Sequence, residues 1–333
     1  MDSTAAPRAS DASEPPSGKL ARWAHGVPFA LACYLVLRAV FGPVLWPFNV
    51  IEPLLLWLCM PSFVLLFVAF ARRRRSAAIA HTLIACAWAS MFGHLLFAPS
   101  QPPAGDGEKL TILTFNVAAG LAPFASIERL MREENADVVL LQEVSDHHEA
   151  AFEHALSDLY PHRDVHGLGI EGLGLFSRFP ILEKELAELS SGRPYQRVVL
   201  DVRGERTTVY NVHPGLVHLV AGPMSNDTAD LRKIARDAHA AGTALVAGDL
   251  NATENMDLCG ALADEGLHDA FRHAGKGFGL TFPVFARYRG IPLPPFVRID
   301  SVWHSQAYTC SEARVLPDAG SDHLPLLVVL TGV

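Results

Sequence analysis

Apolar and polar positions divide this chain near residue 108. Before it stand three apolar stretches: 27–46 (VPFALACYLVLRAVFGPVLW), 53–70 (PLLLWLCMPSFVLLFVAF) and 77–98 (AAIAHTLIACAWASMFGHLLFA). Each approaches the ~20 residues that span a hydrocarbon core as a helix, so three transmembrane helices are expected. Three successive runs with almost no charge argue against a buried helical domain. The first run also lacks the small-residue cleavage site of a signal peptide. Residues 1–22, rich in Ser, Ala, Pro and charge, read as a disordered tail. Residues 99–108 (PSQPPAGDGE) read as a linker, which leaves one domain over 109–333.

In that domain the pattern changes to short alternating or apolar runs. Strands are expected at 110–117, 137–144, 172–177, 197–202, 207–212, 243–247, 298–304 and 324–330. The pair 197–202 and 207–212 should form a hairpin joined near Gly204. Helical spacing appears at 126–134, 147–159 and 227–241, with Ser126 as a candidate cap. Strands outnumber helices, yet helices recur between them. The fold class is therefore α/β, a two-layered sheet core with helices outside.

Charge orients the apolar runs. Arg72, Arg73, Arg74 and Arg75 lie between the second and third and should stay cytoplasmic. The amino terminus, with Arg8, Lys19 and Arg22, then lies inside as well. Three crossings put everything past residue 98 outside. The expected location is the cell (inner) membrane, multi-pass, with the domain over 109–333 extracytoplasmic. Past residue 100 the chain carries 19 basic and 31 acidic residues, a balance of −12. Nucleic-acid binders usually carry a basic stripe, so no nucleic-acid partner is expected. Cys259 and Cys310 lie in the outer domain, where either a disulfide or two free buried thiols would fit.

Polar residues gather where the expected strands end: Asn116, Glu143, His213, Asp249, Asn251, Asp300, Asp322 and His323. In VAGDLNAT, Asp249 and Asn251 are two residues apart, so on an extended chain they project from one side. A carboxylate there suits a hard divalent cation. An amide can donate to a phosphate oxygen without repelling it. Phosphoryl transfer needs charge neutralised on nonbridging oxygens, a water aimed in line and a stabilised leaving group. Carboxylates with a metal ion and two histidines can supply all three.

TFNVAAG, LLQEV, NVHPG, GDLNAT, RIDSVW and SDHLP, in this order and spacing, resemble the endonuclease/exonuclease/phosphatase family over roughly residues 109–333. That family includes DNase I-like nucleases, abasic-site endonucleases, inositol polyphosphate phosphatases and neutral sphingomyelinases. The resemblance implies a four-layered α/β sandwich and Mg²⁺-assisted phosphoester hydrolysis, with Mn²⁺ as the alternative ion. It implies that Glu143 ligates the metal with Asn116 beside it, and that Asp322 completes the metal shell. Asp249 would orient or deprotonate water and Asn251 would hold a phosphate oxygen. His323 would stabilise developing charge, with its tautomer fixed by Asp300. His213 would donate to a phosphate oxygen or protonate the leaving group. Ser177 and Arg178, in LFSRFPI, match a common family strand and are candidates to line the phosphate site. One departure is Ser301, where many members carry His or Tyr.

Three features point to a lipid phosphate: the membrane runs, the acidic domain, and the segment GLTFPVFARYRGIPLPPFVRID, in which Phe282, Phe285, Tyr288, Ile291, Leu293 and Phe296 surround Arg287 and Arg289. Three spans followed by an outer domain of this kind are similar to VanJ-type membrane phosphatases, which implies a polyprenyl-pyrophosphate-like substrate. An extracellular nuclease or phosphodiesterase, a sphingomyelinase-like phospholipase and a non-catalytic membrane scaffold are the alternatives.

Overall fold

The computed structural model describes residues 17–41, 51–96, 107–216, 227–284, 290 and 293–332. It divides into two compact units, one of residues 1–40 with 57–90, the other of 41–56 with 91–333.

The first helix, α1, spans Ser17–Phe41, with Pro28 inside it. Among the described residues two further helices are long and apolar enough to cross a membrane: α2, Glu52–Ala71, and α3, Arg75–Leu96. The expected third span is not one of them. The apolar part of α1 is only Pro28–Arg38. The described helix runs from Ser17, inside the stretch expected to be disordered, to Phe41, and positions 42–46 of the expected first span lie outside the described residues.

The larger unit holds two six-stranded sheets. One runs β11-β12-β1-β2-β4-β3, the other β5-β6-β7-β8-β10-β9. The strands are β1 Lys109–Asn116, β2 Val138–Gln142, β3 His162–His166, β4 Leu173–Ser177, β5 Ile181–Glu188, β6 Pro194–Val202, β7 Glu205–Val212, β8 Ala244–Asp249, β9 His268–Asp269, β10 Asp300–His304, β11 Tyr308–Val315 and β12 Leu326–Gly332. Helices α4 (Phe124–Glu134) and α5 (Asp146–His154) cover the first sheet. Helices α6 (Asp227–Ala241) and α7 (Asp257–Asp264) cover the second. The short α8, Ala270–Ala274, closes one end of the core between the sheets.

Strand parity builds these layers. On β1, Leu110 and Ile112 face the other sheet, while Leu113 and Phe115 face the helices. On β8, Leu245 and Ala247 point inward and Val246 points to α6. Asp249, Asn116 and Gln142 share the inward parity of their strands. The apolar core therefore ends in polar side chains at one edge of the sandwich. Gln142 Nε2 donates to Asn211 Oδ1 across the sheets (2.8 Å) and to Thr114 Oγ1 (3.1 Å), and Asn211 Nδ2 donates to Gln196 Oε1 (3.0 Å). This fully buried amide ladder is the floor beneath the candidate site. Burying such groups is tolerable because each finds a partner.

Several boundaries differ from expectation for local reasons. Helix α4 starts at Phe124, two residues before Ser126, with Pro123 at its N-cap. Helix α5 is capped by Ser145, whose side chain accepts from His148 N, and ends at His154, two residues before Leu156, whose φ is 64°. The β6–β7 hairpin turns at Arg203 and Gly204, both with positive φ, as a two-residue turn requires. Cys259 and Cys310 are free and buried in different core clusters.

Candidate functional site

Six chain segments deliver polar side chains to the same edge. These are the ends of β1 (Asn116), β2 (Gln142, followed by Glu143), β7 (Val212, followed by His213) and β8 (Asp249), the start of β10 (Asp300), and the loop before β12 (His323). Asp300 and Asp249 are cross-strand partners. Gly248 makes this approach possible. A Cβ there would lie 2.0 Å from Val212 O, and its φ of 142° suits only glycine.

Backbone strain concentrates here. Among the described residues eight non-glycine positions have positive φ, and four of them, Ala118, Ala119, Glu143 and Asn251, lie in these loops. Such conformations cost ~1–3 kcal/mol each and persist where the surroundings impose them, typically at functional sites.

Asn116 ties two acids together. Its Nδ2 donates to Asp249 Oδ2 (3.0 Å) and Glu143 Oε1 (3.2 Å), while its Oδ1 accepts from Ala118 N (2.9 Å). Both ends of its amide are thus engaged by protein groups. Asp249 Oδ1 accepts from Asn251 N (2.8 Å), which leaves Oδ2 facing two histidines: His323 Nε2 at 3.6 Å and His213 Nε2 at 3.7 Å. Asn251 Nδ2 donates to Pro214 O at 3.0 Å. His323 Nδ1 is 3.0 Å from Asp300 Oδ2, and the Phe282 ring packs on the imidazole with centroids 4.5 Å apart. Ser321 Oγ donates to Asn116 O (2.7 Å) and accepts from His323 N (3.1 Å), locking the last loop to β1.

The two histidines are driven apart electrostatically. Burial opposes the imidazolium of His323, but the Asp300 and Asp249 carboxylates overcome it and raise the group to about 10. Burial lowers His213 to about 4, outweighing the pull of Asp249, so it is neutral at pH 7. A site with one cationic and one neutral imidazole can donate to a phosphate from both.

The donor set fits a hard divalent cation. Burial raises Glu143 above the usual carboxylate range. The Asn116 hydrogen bond lowers it, and the Asp249 and Asp322 charges raise it again. Three carboxylates thus converge with one imidazolium among them, the surplus of negative oxygen that a cation such as Mg²⁺ relieves. Asp249, Asp300 and His323 also bring ligand atoms within 4.8 Å of one another. However, the Asp300–His323 hydrogen bond occupies the facing atoms of that pair, which leaves Glu143 and Asp322 as the carboxylates that fit a ligand role.

Asn116, Glu143, His213, Asp249, Asn251, Asp300 and His323 are therefore brought together, with Asp322 within electrostatic reach of Glu143 and His323. Ser177 and Arg178 are not. Ser177 pairs with Val138, at the end of β2 opposite Gln142, some four residues or ~13 Å along the strand. Its hydroxyl serves Phe179, and Arg178 pairs with Asp137. Ser301 accepts from the Trp303 indole and serves packing. Phe285, Tyr288, Ile291, Arg287 and Arg289 lie outside the described residues.

The sequence reading missed Arg193. Its Nη1 donates to Ile170 O at 2.7 Å, its Nε would be 3.3 Å from a Cβ on Gly215, and its charge helps lower His213. A guanidinium at this mouth is suited to a phosphate. Its cue, an Arg before a strand that leads by hairpin to a catalytic His, is too common to single out.

No curated protein matches this chain by sequence. The fold recurs in solved structures. An endonuclease/exonuclease/phosphatase from Beutenbergia cavernae DSM 12333 is similar at 23% identity, covering 67% of this chain and 72% of that one, with a TM-score of 0.52. A family protein from Leptotrichia buccalis C-1013-b is similar at 18% identity over 66% and 98%, with a TM-score of 0.55. D. rerio TDP2 complexed with single strand DNA product is similar at 19% identity over 67% and 99%, with a TM-score of 0.52. The model of the Endonuclease/Exonuclease/phosphatase family matches residues 113–323. That stretch runs from β1 to His323 and takes in every residue of the assembled site, and it places the chain in the endonuclease/exonuclease/phosphatase family.

Proposed function

We propose that this protein is a membrane-anchored, Mg²⁺-dependent phosphoesterase that hydrolyses a lipid phosphate or pyrophosphate of polyprenyl type, of the VanJ kind, on the extracytoplasmic side. The observation that carries the hydrolytic part is the Asp249 carboxylate, aimed by Asn116 and Asn251 N–H and flanked by the cationic His323 and the neutral His213. Asp249 Oδ2 is placed to orient a water and take its proton. His323, held by Asp300, offers Nε2–H to the charge that builds on the phosphate. His213 offers a neutral N–H to a nonbridging oxygen or the leaving group. Glu143 and Asp322 would hold a cation, which would supply neutralisation of phosphate charge.

Two observations support the lipid. The helices α2 and α3 have the length and hydropathy of membrane spans, and Arg72, Arg73 and Arg74 between them are followed by Arg75 at the start of α3. Exposed apolar side chains flank the site loops as well. Leu121 follows the turn after Asn116, Ile170 adjoins the Arg193 guanidinium, and Leu216 lies three residues past His213, each 43–56% exposed. Such a rim suits a tail or bilayer surface better than a polar chain.

The test is turnover by full-length protein in lipid nanodiscs, with Mg²⁺ or EDTA. Substrates are farnesyl and undecaprenyl pyrophosphate, sphingomyelin, and supercoiled plasmid. Phosphate release from the prenyl substrates alone, lost in EDTA, is the expected result. Plasmid nicking with inert prenyl pyrophosphates would replace this reading with a nuclease.

A further inference from the structure

The catalytic loop is supported by a charged cluster that one residue of helix α3 completes. Glu254 lies three residues past Asn251, and Arg298 two before Asp300. Arg298, buried, gives Nη2 to Glu254 Oε2 (2.7 Å) and to Asp269 Oδ2 (2.8 Å), and Nη1 to Asp269 Oδ1 (3.2 Å). Asp269 in turn accepts from Phe271 N and caps α8. The three side chains are between 3% and 10% exposed, so one guanidinium balances two carboxylates almost out of water. That arrangement leaves a negative surplus and a buried oxygen, Glu254 Oε1, with no hydrogen-bond partner among the described residues. A buried carboxylate oxygen left unmatched is costly, which makes a donor close to it important.

One such donor is His94. Its Nε2, also buried and without a hydrogen-bond partner among the described residues, lies 3.5 Å from Glu254 Oε1. His94 sits in the last turn of α3. Phe92 and Leu95 from the same turn, and Leu56 from the start of α2, line one cleft with Glu254 and Arg298. These helix ends belong to the same compact unit as the catalytic domain. The cluster bears directly on the site. Leu250 N donates to Ile299 O (2.9 Å), so the 249–254 loop and the 298–300 segment move as one, and both are gripped by Glu254 and Arg298.

We infer that His94 is a positioning residue for the catalytic loop: its Nε2–H closes the open oxygen of Glu254, so that the ends of the apolar helices complete the support of Asp249 and Asn251. Anchor and catalytic centre are then one functional unit, and the domain cut free of α3 lacks part of its own scaffold. The inference rests on the phosphoesterase reading of the site only for its kinetic readout.

The experiment uses the full chain in phosphatidylcholine–phosphatidylglycerol nanodiscs with Mg²⁺. It takes farnesyl pyrophosphate and bis(p-nitrophenyl) phosphate as probes, and deuterium uptake of the 249–256 peptide as a second measurement. His94→Ala should lower kcat about tenfold, as loss of a hydrogen bond to a charged group would, with KM unchanged, and should speed exchange in that peptide. His94→Gln, which carries an N–H at similar reach, should recover most of both. A residue that matters only for packing would not be rescued by Gln. Wild-type kcat and exchange in His94→Ala would overturn the inference, as would equal losses in the Ala and Gln variants. If the wild type turns over neither probe, the phosphoesterase reading falls. The exchange data then decide the positioning role alone: faster exchange in His94→Ala, reversed in His94→Gln, supports it, and unchanged exchange refutes it.

Discussion

Replacing Asp300 by Asn tests whether His323 acts as a buried imidazolium. The two side chains are nearly isosteric, so the 3.0 Å contact to Nδ1 survives in geometry while its charge is removed. In the intact site His323 is raised from the ordinary 6.5 to about 10, against burial, by Asp300 first and Asp249 next. That difference corresponds to ~5 kcal/mol favouring the cation. A unit charge ~4 Å away at an effective dielectric of 20 contributes ~4 kcal/mol, so losing Asp300 removes most of it. His323 should then titrate at roughly 7. The sign follows directly. A group raised to about 10 is charged throughout the neutral range, whereas one near 7 is charged only below it. Wild-type turnover should therefore be level from pH 6 to 9, apart from groups other than His323. Asp300→Asn should lose activity as pH rises through 7, on top of a fall of ~10²-fold in kcat from weakened charge stabilisation. The assay is kcat against pH with farnesyl pyrophosphate at saturating Mg²⁺. A variant within threefold of wild type with an unchanged profile would refute the imidazolium role.

Three further outcomes follow from the same geometry. Glu143→Gln removes one of three converging carboxylates, so Mg²⁺ titrations of activity should show ~10–100-fold weaker half-saturation, and EDTA should abolish wild-type turnover; full activity in EDTA would exclude the metal. Arg193→Ala should raise KM for phosphoester probes about tenfold or more, with Arg193→Lys intermediate, since a charge-assisted hydrogen bond contributes ~1.5–3 kcal/mol; steady-state kinetics with an unchanged KM would remove Arg193 from substrate binding. His304, within 6 Å of the His268 and His273 rings, is held down to about 4, chiefly by burial. The unfolded chain binds that proton below about 6.5 and the folded one does not, so stability is intact above 6.5 and falls toward pH 4 by at most ~3 kcal/mol; Tm measured from pH 7.5 to 4.5 should fall, and less so in His304→Phe.

How much was legible in the sequence depends on which force placed each residue. Asp249, Asn251, Asp300 and His323 were legible because strand parity and a polar residue ending an apolar run are local signals, and the motifs around them repeat a family pattern. Strands β3 and β5 were not. HRDVH and ILEKELAE are polar sequences whose strand state comes from pairing with β4 and β6, at edges where charge guards against further pairing. Ser177 and Arg178 were placed at the site because their motif belongs to the family, but motif membership does not say which end of a strand a residue occupies, and antiparallel pairing with β2 put them at the far one. The amide ladder of Gln142, Asn211 and Gln196 was invisible for a different reason. Each residue alone reads as a solvated polar position, and only the closure of two sheets makes the three a single buried network. The same holds for His94 and Glu254, 160 positions apart along the chain: one lies in a run that reads as membrane helix, the other just past the GDLNAT motif. Their relation exists only in the folded chain, because neither belongs to a motif and neither run carries a local signal of the other.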